Sequence, residues 1–261
     1  SRAIFSPDGR FILTIAETAA TLWETEDNEK PLSILRHGGM LVNSAVFSPD
    51  GRQVLTAGDD GRVRLWSGSS GMQQDSLAAQ PEGVRSAVYS PDGRWIIGAS
   101  GNLVRCWQAQ DLTESDSLKH PDYVESAMFA PDNRLILTTA YDNIVRLWNT
   151  GGTLRDSLVH QGFITSAVFS GDSRYVLTAS EDGTARLWDL QRETVTEFTH
   201  PPNVLVKSAV FSPDNQYLLT AGDDGIARAW WRPDVIYQWL KTTPAVAPLA
   251  PETRALYQVG E

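Results

Sequence analysis

One cysteine, Cys106, stands among 261 residues, so no disulfide can form within the chain. That fits a reducing compartment, and a cytoplasmic location is expected on this ground. Histidine is scarce, with four in all. No apolar run approaches the roughly 18 residues of a membrane-spanning helix, and the N-terminus carries no signal-peptide pattern. No membrane partner is expected. Positive charge is also short: 22 Lys and Arg face 32 Asp and Glu, for a formal net charge of −10. Phosphate binding needs concentrated Lys and Arg, so no nucleic-acid partner is expected either. The chain contains no GxSxG elbow, HExxH, P-loop or GxGxxG, and neither a catalytic site nor a cofactor is expected.

What is present is the composition of an ordinary folded protein, 41% hydrophobic and 21% charged. Its dominant feature is an internal repeat. FSPDGR at Phe5–Arg10 returns as FSPDGR at Phe47–Arg52, YSPDGR at Tyr89–Arg94 and FAPDNR at Phe129–Arg134. It returns again as FSGDSR at Phe169–Arg174 and FSPDNQ at Phe211–Gln216. Successive copies begin 42, 42, 40, 40 and 42 residues apart. Trp23, Trp66, Trp107, Trp148, Trp188 and Trp230 each follow their copy at a nearly constant distance. Two landmarks that keep step over six cycles are the mark of a repeat architecture.

Each cycle has β texture. Ser44–Trp66 holds three short apolar runs separated by Pro-Asp-Gly and Asp-Asp-Gly. These are turn residues: Pro fixes φ, Gly supplies positive φ and Asp bonds the local backbone. A fourth run, such as Asp75–Ala79 or Asp156–His160, precedes the next cycle. Four short strands make a small sheet that cannot bury both faces alone, and radial stacking of copies solves that problem.

At these residues the sequence resembles the WD-repeat family, over roughly Ser1 to Trp230. Only Trp188-Asp189 is a literal WD. The resemblance implies an all-β propeller of four-stranded antiparallel blades. Six units are visible, and a seventh lying partly upstream is the alternative. The chain opens within a unit and without a methionine, so a fragment or processed product of a larger chain or complex is expected, of bacterial type. The resemblance also implies a structural network of a loop His, a strand Thr, a turn Asp and the repeat Trp. Carried over, this is His37, Thr56, Asp60 and Trp66; His120, Thr138, Asp142 and Trp148; His160, Thr178, Asp182 and Trp188; and His200, Thr220, Asp224 and Trp230. The third unit departs, with Gln80, Gly98 and Gly101, and the first has Glu17 for Asp. Both should be held less firmly.

Repetition also weighs chemistry against structure. A metal site or catalytic base needs side chains that converge, whereas equivalent positions of a ring are spread around it. All four His are therefore expected to be structural, each bonding its own blade. The repeated acids Asp8, Asp50, Asp92, Asp132, Asp172 and Asp214 read as turn residues. Gly58–Gly61 and Gly222–Gly225 lack the alternating acids and distal Glu of a calcium loop. The six repeat tryptophans read as core. Arg64, Arg105, Arg146, Arg186 and Arg228 could form a phosphate-reading ring, but stems packed between blades with heads paired to acids are the expected arrangement. Cys106 falls at a buried-strand position where thiols are inert.

Positions that vary among the units are free for recognition. Just before the strand Ser lie Asn43, Arg85, Glu125, Thr165 and Lys207, with Met40, Leu41, Tyr123 and Phe163 in the adjacent loops. Opposite them, before the turn Asp, are Asp59, Tyr141, Glu181 and Asp223. The resemblance places this set on the top face near the central channel. Aromatic anchors with both charge signs suit a protein or peptide partner. The expected function is thus a non-catalytic interaction scaffold or sensor module. The alternatives are a propeller enzyme with a central-channel site and a TolB-like periplasmic propeller. The propeller is expected over residues 1–232, with 233–261 as a tail packing on it. Val235, Ile236, Trp239 and Leu240 are spaced for one helical face with Asp234 as cap, but Val235, Tyr237 and Trp239 also alternate as an outer strand would. Pro251–Tyr257 is expected to start a second short helix.

Overall fold

The periodic turns cut the chain into strands that pair with their sequence neighbours. The computed structural model describes residues 2–27, 29–115 and 117–242. Among these residues there are six antiparallel sheets and one helix. Two units divide the chain, Ser1–His160 with four sheets and Gln161–Glu261 with two.

In the first unit, sheet one is β1–β4 (Arg2–Phe5, Phe11–Ala16, Ala19–Glu24, Ser33–Arg36) and sheet two is β5–β8 (Val42–Phe47, Gln53–Gly58, Val63–Ser67, Gln73–Ser76). Sheet three is β9–β12 (Val84–Tyr89, Trp95–Ser100, Leu103–Gln108, Leu118–Lys119). Sheet four is β13–β16 (Val124–Phe129, Leu135–Ala140, Ile144–Asn149, Leu154–Val159). The second unit holds sheet five, β17–β20 (Ile164–Phe169, Tyr175–Ser180, Thr184–Asp189, Thr194–Thr199). Its sheet six has three strands among the described residues, β21–β23 (Val206–Phe211, Tyr217–Gly222, Ala227–Trp231). The six repeats thus correspond to six sheets.

The first hairpin of each sheet turns on the FSPDG-type segment. Ser6 Oγ donates to Asp8 Oδ1 at 2.6 Å, Arg10 N donates to the same oxygen, and Phe11 N donates to Ser6 Oγ. The arrangement recurs at Ser48, Ser90, Ser170 and Ser212. The turn's fifth residue adopts positive φ, which explains Gly at 9, 51 and 93 and Asn at 133 and 215; Ser173 adopts the same conformation. The repeated acids are turn residues, as expected from their recurrence.

Sheets pack face to face through apolar side chains. Leu55, Ala57, Val63, Leu65 and Leu77 of sheet two meet Val84, Ala87, Tyr89, Ile96 and Trp107 of sheet three. The same pattern joins sheets one and two, three and four, and, in the second unit, five and six. Cys106 is buried in this packing.

After β23 the chain forms α1 (Pro233–Thr242). Of the two readings open for the tail, the helix is the one adopted. Pro233 lacks the N–H that a strand ladder needs but fits the first turn of a helix. Asp234, foreseen as a cap, has its carboxylate held by Arg232 at 2.7 Å and by the Tyr175 hydroxyl at 3.1 Å. Arg232 also stacks on Tyr175, fastening the helix start to sheet five. The expected helix at Pro251–Tyr257 lies outside the described residues.

Candidate partner-binding site

The histidine network is a structural frame. In sheet two, Trp66 Nε1 donates to Thr56 Oγ1 at 2.8 Å, and that hydroxyl lies 2.8 Å from His37 Nε2. His37 Nδ1 is 2.8 Å from Asp60 Oδ1. One proton order satisfies all four groups: the Trp N–H donates to Thr, the Thr O–H to Nε2, and Nδ1–H to Asp60. Sheet four repeats the relay through Trp148, Thr138 and His120, whose Nδ1 faces the Leu118 carbonyl at 3.2 Å. In sheet six Trp230 and His200 share Thr220 in the same way. Burial holds His37 and His200 below the usual imidazole value. Burial, aided by the Arg146 cation, pushes His120 down to about 4. These rings are neutral at pH 7 and engaged at both ends or close to it.

His37 and His120 each bond the Thr of their own repeat unit, as expected, although the unit begins ahead of the sheet. His37 follows β4, a strand of sheet one, yet its partners Thr56 and Asp60 belong to sheet two. The sequence repeat is offset from the sheet by one strand, so the histidine links neighbouring sheets. His120, following β12 of sheet three and bonded to Thr138 of sheet four, does the same.

The repeated arginines pair with acids. Arg64–Asp60, Arg146–Asp142 and Arg228–Asp224 each close to 2.6 Å. Arg186 reaches Glu197 at 3.0 Å, and Arg105 reaches Glu114 at 2.5 Å. A cavity of about 570 Å³ opens by the first-hairpin turns of sheets two and three, lined by Asp50, Tyr89, Asp92, Arg94 and Trp95 among others. Its acids already accept bonds from Ser48 and Ser90. The serine bond keeps Asp50 below the usual carboxylate range. Among the described residues no group of three His, Cys, Asp or Glu is placed to hold a metal.

The proposed recognition residues fall on a recurring irregularity. In sheets two to six the pairing of the first strand with the second shifts register beside the strand Ser. The residue left without a partner is Asn43, Arg85, Glu125, Thr165 or Lys207. A β-bulge re-aims the side chain it carries. Sequence comparison had singled out these five positions for their variability, but nothing in the sequence announced a bulge.

Backbone bonds bring the second set beside the first. The N–H of Asp59 donates to the Leu41 carbonyl, Tyr141 to Tyr123, Glu181 to Phe163 and Asp223 to Leu205, at 2.9 to 3.0 Å. Each pair joins the loop before the first strand to the turn after the second. In the first unit, Met40, Leu41, Tyr123 and Tyr141 are exposed. The Tyr141 hydroxyl donates to Glu125 at 2.9 Å, which raises its phenol above the usual value, and Arg85 lies 3.9 Å from Glu125. Asn43 spans Asp59 Oδ1 at 2.7 Å and the Val84 carbonyl at 3.0 Å. In the second unit, Lys207 pairs with Glu181 at 2.8 Å. Thr165 donates to the Val206 carbonyl at 2.6 Å and Phe163 is half-buried, so both also serve packing. Leu205, omitted from the sequence-based set, occupies the position of Leu41, Tyr123 and Phe163. Its place three residues before Ser208 was the available signal.

No curated protein matches the chain in a sequence search. A family model described as WD domain, G-beta repeat matches residues 29–67, 71–108, 113–149, 152–189 and 192–230. Each match starts ahead of one sheet's fourth strand and ends at the third strand of the next, the same offset that makes His37 and His120 inter-sheet links. The matches cover well over half of the 261 residues, and the chain belongs to the WD domain, G-beta repeat family.

Proposed function

We propose that the protein is a non-catalytic scaffold whose bulge residues and adjoining turns bind a protein or peptide. WD repeats generally mediate protein–protein interaction, and the family is typically a non-catalytic scaffold. The observation that carries the reading is the pair Tyr123 and Tyr141, 50% and 40% exposed and tied side by side by a backbone bond. Glu125 and Arg85 stand next to them. Exposed tyrosines fixed on rigid hairpins, with charges of both signs at hand, are the composition of binding hot spots. Met40, Leu41, Asn43 and Asp59 extend the patch in the first unit. Phe163, Thr165, Glu181, Lys207 and Asp223 form its counterpart in the second. The negative charge disfavours nucleic acid, and the lone buried thiol suits a reducing, cytoplasmic setting.

A displayed random-peptide library selected on the wild-type chain supplies a probe. Binding of that peptide is then measured on a Tyr123→Ala/Tyr141→Ala/Phe163→Ala variant. Loss of even one hot-spot aromatic corresponds to at least about 30-fold weaker binding. Equal affinity for both proteins, with the variant folded by circular dichroism, would reject the proposed face.

A further inference from the structure

Gln53 departs from the pattern of its repeat. The residue that opens the second strand of a sheet is otherwise apolar or aromatic: Phe11, Trp95, Leu135, Tyr175 or Tyr217. Three of these pack in a junction between sheets, Phe11 in one cluster with Phe47, Trp95 with Phe129 and Tyr175 with Phe211. At the junction of sheets two and three the pair is Gln53 and Tyr89. Tyr89 is itself a departure, since the other five units have Phe at 5, 47, 129, 169 and 211. Its hydroxyl donates to Gln53 Oε1 at 3.0 Å. Two substitutions in different units thus meet in one hydrogen bond, and both introduce polar groups where the other units are apolar or aromatic.

The cavity of about 570 Å³ by these first-hairpin turns opens on this pair. An amide fills less space than the rings of Phe11, Trp95 or Tyr175, and the volume is that of a small-molecule site. Charge in and beside the lining is balanced. Asp50 and Asp92 carry Oδ2 atoms 3.8 and 3.9 Å from Nε of Arg52 and Arg94, so neither a cation nor an anion is favoured. Hydrogen-bonding capacity is left over. Gln53 Nε2 donates one hydrogen to Gln74 Oε1 at 2.9 Å and keeps a second, and the Tyr89 oxygen keeps its acceptor lone pairs. Gln108 and Gln110 add two carboxamides, and Trp95 adds an aromatic wall. This combination suits a ligand that is uncharged, bears hydroxyls and has an apolar face. A pyranose ring meets all three demands, with hydroxyls around its edge and C–H groups to lay on an aromatic ring.

We propose that this cavity binds a neutral saccharide, with Trp95 against the sugar ring and Gln53 and Tyr89 bonding its hydroxyls. The site shares no residue with the bulge positions and adjoining turns, and its ligand is distinct from a protein or peptide held there.

Saturation-transfer NMR on the full chain tests this with maltose, cellobiose and lactose as probes, and with agmatine and inorganic phosphate as the cationic and anionic comparisons. At least one of the sugars is expected to receive saturation and to titrate to a plateau. Gln53→Leu and Tyr89→Phe import the residues of Leu135 and Phe47 from sister sheets, so the packing is retained and circular dichroism should be unchanged. Each should weaken sugar binding about 10-fold through the lost hydrogen bonds. Trp95→Leu, again the residue of sheet four, should weaken it by a similar factor. No transfer to any of the three sugars, tighter binding of agmatine or phosphate than of sugar, or variants that bind the sugar as the wild type does would each overturn the proposal.

Discussion

The third and fourth sheets share strand order, turn chemistry and packing, yet their polar interiors differ. Sheet four runs Trp148 N–H to Thr138 to His120 and pairs Arg146 with Asp142. At the same positions sheet three has Gly98, with no hydroxyl for Trp107, and Gly101, with no carboxylate for Arg105. Gln80, standing for the histidine, donates to the carbonyl of Ala78. Arg105 turns instead to Glu114, and its Nε is left buried without a partner. Both sheets form, so the network is not what makes a sheet. Apolar packing does that, and Trp107 is as deeply buried as Trp148. The network's effect is to fix polar groups that sheet three has largely dispensed with.

The comparison breaks most readily at Asp142. Removing it as Asp142→Ala strands the buried Arg146 cation, and a loss of about 3–5 kcal/mol is expected in urea unfolding. Thr138→Val keeps the shape but orphans both the Trp148 N–H and His120 Nε2. The expected cost is about 2 kcal/mol by the same measurement. An unchanged unfolding midpoint in either variant would mean that the frame of sheet four carries no weight.

Acid sharpens the contrast. His120 is held at about 4, against an unfolded value near 6.5. Between these values the unfolded chain binds more protons than the folded one. Stability contributed by the neutral ring is therefore complete above pH 6.5 and is lost as pH falls towards 4, by at most about 1.4 kcal/mol per pH unit for this one group. His120→Gln, which imports the chemistry of sheet three, should flatten that part of the pH profile. A profile equally steep in the variant would assign the acid sensitivity elsewhere. The smallest effect belongs to sheet three itself. Glu114 is exposed, so Glu114→Ala should cost less than about 1 kcal/mol. A loss comparable to that of Asp142→Ala would erase the distinction between the two sheets.

Much of this was legible in the residues. The recurrence of Phe5–Arg10 located six first hairpins, and the Pro, Asp and Gly in them bond their own backbone, so no distant contact was needed to recognise them. Carrying the family pattern over by register matched Thr56 with Trp66 and Thr138 with Trp148. The bulges at Asn43, Arg85, Glu125, Thr165 and Lys207 were not legible, because a bulge is a mismatch between two strands and belongs to neither sequence alone. The shape of the tail from Val235 to Leu240 was likewise undecided by a pattern that suited both periods.

By itself the sequence determined the number of repeats, the turns and the residues of the polar frame, since each depends on contacts within about forty positions or on chemistry repeated at a constant register. Only the tertiary structure decided which strands share a sheet, and that His37 and His120, each following one sheet's fourth strand, bond the next sheet. Those outcomes depend on interstrand pairing, which is not a property of a segment read alone.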